Sequence, residues 1–260
     1  MHYLTLAGQA SWEDTGAALE RHAEFLARWS AEQEVQTNEV QRAWALLPAF
    51  LTLADGRPFD LLELGPSAGL NLLWDHYRYV YSTGAWGESE LELAGDDRLP
   101  PPAALLDRRV EVARRRGIDQ NPLDATSEHG ARLLQSFVWP DQTGRLERLQ
   151  RAIHVVREDP PELIRGDYVD SLPDLLADRI DGAQLVVFQT ASTMYLTEGA
   201  LGRLHRGLHE AALARPLTYL GTARAPGDDG FALEVERWPS GERERLAVFD
   251  FHGEWLDWGR

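Results

Sequence analysis

The 260-residue chain has no cysteine, and all 26 of its permanently cationic side chains are arginine, with no lysine. The first absence excludes disulfides, thiolate metal sites and cysteine catalysis. The second excludes Schiff-base chemistry and lysine general bases. No apolar run approaches the roughly 18 residues of a membrane-spanning helix, so no membrane partner is expected. The opening "MHYLTLAGQASWEDTG" lacks a basic region followed by an apolar block, so no secretion signal is expected and the cytoplasm is the expected location. Positive charge is also scarce: 42 acidic residues leave a net charge of −16. Such a surface repels phosphate backbones, which argues against nucleic-acid partners and toward a small-molecule substrate. The oligomeric state is not set by any of these features.

What is present is an α/β pattern. A hydrophobic content of 43% supports a real core. Residues 16 to 54 carry apolar positions at helical spacing, with Thr37 and Asn38 as cap candidates and Glu39 in a first turn. Phe59–Leu64 reads as a buried strand ended by Gly and Pro, with a helix from about Ala68 to Trp74 after it. "YRYVYS" and "ESELELAG" alternate and predict an inserted β-hairpin within about 77–108. The basic run "RRVEVARRRG" reads as a short strand at Val110–Ala113 with solvated flanks, or else as an anion-binding patch. Further strands are expected at Glu162–Arg165, Gln184–Gln189 and Leu217–Gly221, with helices between, and the chain closes with an antiparallel hairpin over Phe231–Phe251. Alternation of this kind predicts a parallel sheet covered on both faces, with ligands beyond the carboxyl ends of its strands.

One stretch, "LLELGPSAGLN", admits two chemistries. As G-x-S-x-G it is the turn that presents a hydrolase serine, Ser67, with His252 downstream as triad partner. As an acid followed by a Gly-rich turn it lets a cofactor approach the end of a strand. Only helical sequence precedes Phe59 and no oxyanion segment lies upstream, which disfavours the hydrolase. Glu63 beside the turn suits a cationic cofactor better than a pyrophosphate. That points to S-adenosylmethionine, which carries an ammonium and a sulfonium, and makes a nicotinamide cofactor the least favoured. Backbone N–H groups at the helix start would meet its carboxylate.

The blocks "VQTNEVQRAWALLPAF", "LLELGPSAGLNLLWDHYRY", "RRGIDQNPLD", "FVWPDQ", "RGDYVDSL", "VVFQTAS" and "FHGEWLDW" occur in this order. Together they resemble a bacterial family known as domain of unknown function 2332, whose members look like class I S-adenosylmethionine-dependent methyltransferases. The resemblance implies a Rossmann-like fold with a mostly parallel seven-stranded sheet and one antiparallel strand from the C-terminal hairpin. The helical spacing over residues 16 to 54, closed by Asp55-Gly56-Arg57-Pro58, predicts a helical cap over 1–57 ahead of a domain over 58–260.

On this reading the cofactor loop is Glu63, Gly65, Ser67, Gly69 and Asn71. Asp119, or alternatively Asp124, accepts from ribose hydroxyls, and Asp167 holds the adenine amino group unless it is an N-cap. Gln189, Thr190 and Ser192 face the transferred methyl, with Tyr195 beside them as a catalytic candidate. His252 is the other candidate base. Asn38, Glu39 and Arg42 are substrate candidates, because side chains at 38 and 42 share a helical face. Trp139 and Asp141, at a break between two helices, are further ones. His205 and His209 have metal-ligand spacing but no third ligand, so no metal is expected. A non-catalytic S-adenosylmethionine binder on the same fold is the remaining alternative.

Overall fold

The computed structural model describes every residue except Glu34, Val35, Thr37, Pro226, Asp228, Asp229 and Arg260, so the cap expected at Thr37 lies outside the described residues. Four helices come first, α1 (His2–Leu6), α2 (Thr15–Arg21), α3 (Ala23–Glu32) and α4 (Arg42–Leu53). After β1 (Phe59–Leu64) and a 3-10 segment (Leu70–His76) come β2 (Arg78–Tyr81), β3 (Gly84–Trp86), β4 (Glu92–Ala94), β5 (Asp96–Leu99) and α5 (Ala103–Leu106). Next are β6 (Val112–Asp119), α6 (Glu128–Ser136), α7 (Thr143–Glu158), β7 (Glu162–Arg165), α8 (Leu172–Ala177), β8 (Gln184–Phe188) and α9 (Glu198–Ala214). The chain ends in β9 (Leu217–Arg224), β10 (Gly230–Trp238), β11 (Glu242–Asp250) and β12 (Trp255–Trp258).

These elements form two compact units. One comprises Met1–Asn38 with Leu123–Pro160, and the other Glu39–Pro122 with Pro161–Arg260, so α4 belongs with the sheet. In the first unit Tyr3 lies against Phe25, Trp29 and His129, and its hydroxyl shares a hydrogen bond of 2.9 Å with His129 Nδ1.

The second unit holds a nine-stranded sheet ordered β5-β12-β11-β10-β9-β8-β1-β6-β7, and a small sheet ordered β3-β2-β4. β7, β6, β1, β8 and β9 run parallel. The expectation of seven strands with one antiparallel is corrected. β10, β12 and β5 all run against the parallel core. The reason is local: β9 to β12 meander through connections too short for a crossover, so each strand reverses on its neighbour. The insertion also differs from a simple hairpin. β2 pairs antiparallel with β3 but parallel with β4, and β5 leaves to extend the large sheet.

All six β1 residues are buried, as a central parallel strand requires. On one face, Phe50 of α4 stacks on Trp74 at 4.4 Å and meets Phe59 and Phe188 edge-on. On the other, Leu62, Leu64, Ile118, Leu185 and Val187 pack against Leu172 and Leu176 of α8 and Leu204 and Leu208 of α9. The arginine run is part of β6, which starts later and runs longer than the expected Val110–Ala113. Strand alternation splits the run between faces. Arg114 and Arg116 meet Asp60 and Asp178 on one, while Arg115 meets Asp75 on the other. Each of these three arginines is therefore held by carboxylates of its own fold, so the strand reading holds and the anion-binding patch does not.

From β1 the chain steps outward to β6 and β7, then returns to β8 on the other side of β1. The strand order reverses between β1 and β8, and the crevice outside their carboxyl ends is where open α/β sheets place ligands.

Candidate functional site

At the carboxyl end of β1 the chain turns through Gly65, Ser67 and Gly69, all with left-handed backbone (φ 72, 54 and 74). Neither glycine leaves room for a side chain. A Cβ at Gly65 would come within 2.5 Å of the Ser192 Cβ, and one at Gly69 within 2.8 Å of Pro161 Cγ. The neighbouring strands hold the turn in place. Gly65 N–H donates to the Ile118 carbonyl at 2.9 Å and Ser67 N–H to Asp119 Oδ2 at 2.9 Å. Ser192 Oγ, from the loop after β8, donates to the Leu64 carbonyl at 2.6 Å. In that loop Ala191 is also left-handed (φ 78), and its N–H donates to Thr222 Oγ1 at 2.8 Å.

Ser67 and Ala191 are the only non-glycine residues with left-handed backbone among the described residues. They occupy the two loops on either side of the switch point. Such backbone costs about 1–3 kcal/mol per residue and persists where the surroundings over-determine it, which is typical of ligand-binding sites.

The electrostatics of this end are set by Glu63. It is 1% exposed, and its Oε2 accepts no hydrogen bond. Burial, and secondarily the Asp119 carboxylate, raise its pKa to about 8, with the Arg42 guanidinium pulling the other way. Asn71 Oδ1 is likewise buried and accepts no hydrogen bond. Two buried acceptor oxygens flank the turn, each at a desolvation cost of about 1–3 kcal/mol. A ligand with N–H or ammonium donors matches that demand.

The other candidate residues fall into place unevenly. Asp119 ends β6 and already orders two backbone N–H groups, those of Ser67 and Asn121 (2.8 Å). A carboxylate with this geometry retains acceptor capacity for a ribose. Asp167 follows β7 and accepts from Val169 N–H at 2.7 Å and Asp170 N–H at 3.3 Å, the capping arrangement of its alternative reading. Gln189 and Thr190 follow β8. Arg42 Nε donates to the Phe251 carbonyl at 2.8 Å, and Gln41 Nε2 to Gly253 O at 3.3 Å, which ties the turn carrying His252 to the start of α4. His252 itself is exposed, and Tyr195 is 89% exposed on a 3-10 turn. Glu39 is buried, and its Oε1 accepts from Gln41 N–H.

Two expectations are corrected. The helix placed at Ala68–Trp74 is instead the 3-10 segment, and the Gly69 and Leu72 N–H groups are used within the turn. A helix N-terminus is therefore not what would hold a ligand carboxylate. Left-handed Gly69 lies outside the helical region, and Leu73 (φ −99, ψ 22) breaks the segment that follows, so no continuous α-helix spans Ala68–Trp74. Second, α4 begins at Arg42, so Asn38 precedes it and the two share no helical face. Trp139, 71% exposed, and Asp141, also exposed, lie in the helical unit, as do Asn38 and Asp124.

Ala191 carries no sequence signal, since alanine disfavours the backbone it adopts. The pairing of Ser192 with Leu64 is equally silent, because it links residues far apart in the chain.

A family model described as "Uncharacterized protein conserved in bacteria (DUF2332)" matches residues 2–258. The chain belongs to that family. No curated protein and no solved structure matches it. No helix among the described residues is long and apolar enough to cross a membrane.

Proposed function

We propose that this member of the family binds S-adenosylmethionine at the carboxyl ends of β1, β6 and β8 and transfers its methyl group to a small-molecule acceptor. In finer detail the sheet is read as Rossmann-like, of the class I methyltransferase type, with the meander replacing the usual end of that sheet. The observation that carries the reading is the strained, glycine-lined turn at the switch point with the buried, unsatisfied Glu63 beneath it. Glu63 and Asn71 would hold the ammonium of the methionine moiety, and Asp119 the ribose. The cofactor supplies an electrophilic methyl. The chain's contribution is to position the acceptor and to exclude water, which accounts for most catalysis in transfers of this kind. The acidic surface favours a small acceptor over a nucleic acid.

Calorimetric titration with S-adenosylmethionine, and with its demethylated product, tests the proposal. Saturable binding is expected, and well-folded protein that fails to bind at millimolar ligand refutes it. A left-handed serine at a strand end is also what a hydrolase elbow presents. Ser67→Ala separates the two readings. The substitution keeps the backbone N–H that Asp119 holds, so cofactor binding is expected to change less than about threefold. Gly65→Val drives a branched side chain onto Ser192 in a backbone region that such residues avoid, and is expected to weaken binding at least about tenfold. Labelling of Ser67 by a fluorophosphonate probe, with loss of an esterase activity in Ser67→Ala, would favour the hydrolase instead.

A further inference from the structure

Thr222 lies on β9, beside the loop that follows β8, and is 3% exposed. It holds that loop at two points. Its carbonyl accepts from Gln189 Nε2 at 2.9 Å, and its Oγ1 accepts from Ala191 N–H at 2.8 Å. The two bonds bracket Thr190. Ala191 is the residue that most needs holding, because its backbone is left-handed (φ 78), a region that alanine avoids.

Ala191 in turn fixes the place of Ser192, and Ser192 meets the Gly65–Gly69 turn. Ser192 Oγ donates to the Leu64 carbonyl at 2.6 Å, and its Cβ occupies the space that a side chain at Gly65 would need. The Tyr168 hydroxyl, from the segment after β7, donates to the Ser192 carbonyl at 3.3 Å. A chain of contacts therefore runs from Thr222 through Ala191 and Ser192 to Leu64 and Gly65. It joins the two loops that carry the strained residues Ser67 and Ala191.

We propose that Thr222 is a positioning residue for cofactor binding: its hydroxyl holds Ala191 in the left-handed region, and through Ser192 this keeps the Gly65–Gly69 turn in the form that meets the ligand. The inference rests on the S-adenosylmethionine reading and adds to it a residue that acts through its neighbours. Thr222→Val exchanges the hydroxyl for a methyl, takes the acceptor from Ala191 N–H and leaves the strain unopposed. Glycine enters left-handed backbone without a steric penalty, so with Ala191→Gly the hydroxyl is no longer required.

The test is amide hydrogen exchange without ligand, then calorimetric titration with S-adenosylmethionine, on full-length variants. In Thr222→Val, exchange at Gly65 and Ser67 is expected to quicken at least about fivefold, with Leu61 and Leu62 of β1 unchanged, and binding to weaken about tenfold. Thr222→Ser keeps the acceptor and is expected to match the unaltered protein within about twofold in both measurements. Adding Ala191→Gly to Thr222→Val is expected to recover most of the lost affinity. A residue needed only for general stability would quicken exchange throughout the sheet and would not be rescued from position 191. Unchanged exchange at Gly65 and Ser67, equal quickening at Leu61 and Leu62, or no recovery in the double variant would each overturn the inference and leave the cofactor reading standing. Absence of binding by the unaltered protein would instead overturn that reading, while exchange without ligand still decides whether Thr222 holds the turn. Ser192→Ala breaks the next link and is expected to quicken the same two amides, which decides the case should Thr222→Val fail to fold.

Discussion

Replacing Glu63 with glutamine is expected to weaken S-adenosylmethionine binding about ten- to a hundredfold while stabilising the folded protein above neutral pH. Both effects arise from one buried carboxyl. Its pKa is about 8 in the folded protein against 4.5 as an ordinary glutamate. The folded state therefore binds more protons than the unfolded state between these values. Stability falls as pH rises through that window, at up to about 1.4 kcal/mol per pH unit from this group. Glutamine has no proton to lose, so the variant is expected to lack that slope and to melt higher than the unaltered protein at pH near 8. Binding runs the other way. An ammonium beside Glu63 favours the ionised carboxylate. At pH 7 the group is about nine-tenths protonated before binding, so close to one proton should leave for each ligand bound. Calorimetry in buffers of different ionisation enthalpy measures that release, and thermal unfolding against pH measures the slope. Undiminished binding in the variant, or binding without proton release in the parent, would rule out Glu63 as the ammonium partner.

Asp60→Ala is expected to cost about 3–5 kcal/mol of stability, the largest effect foreseen for a residue outside the site. Asp60 lies at the start of β1, 1% exposed, and accepts from Arg114 Nε at 3.0 Å, Arg114 Nη2 at 2.9 Å and Ile180 N–H at 3.2 Å. Arg116 lies 3.7 Å away and is almost wholly buried. Removing the carboxylate leaves cationic groups and a backbone N–H with poor compensation in a dry setting, and that penalty exceeds the loss of the pair's attraction. Asp178 contacts the same arginines, but its carboxylate is 66% exposed and its backbone carbonyl makes two of the contacts. Asp178→Ala is therefore expected to cost less than about 1 kcal/mol. Urea unfolding of the two variants side by side measures the difference, and equal costs would mean that burial of Asp60 is not what matters.

Much of the fold is legible in the chain. Glu162–Arg165 places Leu163 and Ile164 between prolines on one side and Gly166-Asp167 on the other, and the strand occupies the expected range. α7 and α9 have helical periodicity and lie where helices are expected between the strands. β6 was legible only in part. Three consecutive arginines look solvated, and only pairing with Asp60, Asp75 and Asp178, all remote in sequence, makes a buried strand of them. The meander at the C-terminus shows as alternation, but its pairing order does not, since any of several registers buries the same face.

The sequence by itself determined that this is an α/β chain whose Gly-rich turn follows the first strand, with an acid two residues before it. Composition also ruled out thiol and lysine chemistry. Periodicity and turn residues act over a few positions, so neighbouring residues suffice to express them. The tertiary structure alone decided that Glu63 is buried near Asp119, that Ser67 and Ala191 face the switch point in strained backbone, and that no α-helix starts at Gly69. A pKa and a strained dihedral are set by groups brought together from distant parts of the chain, and no local pattern records them.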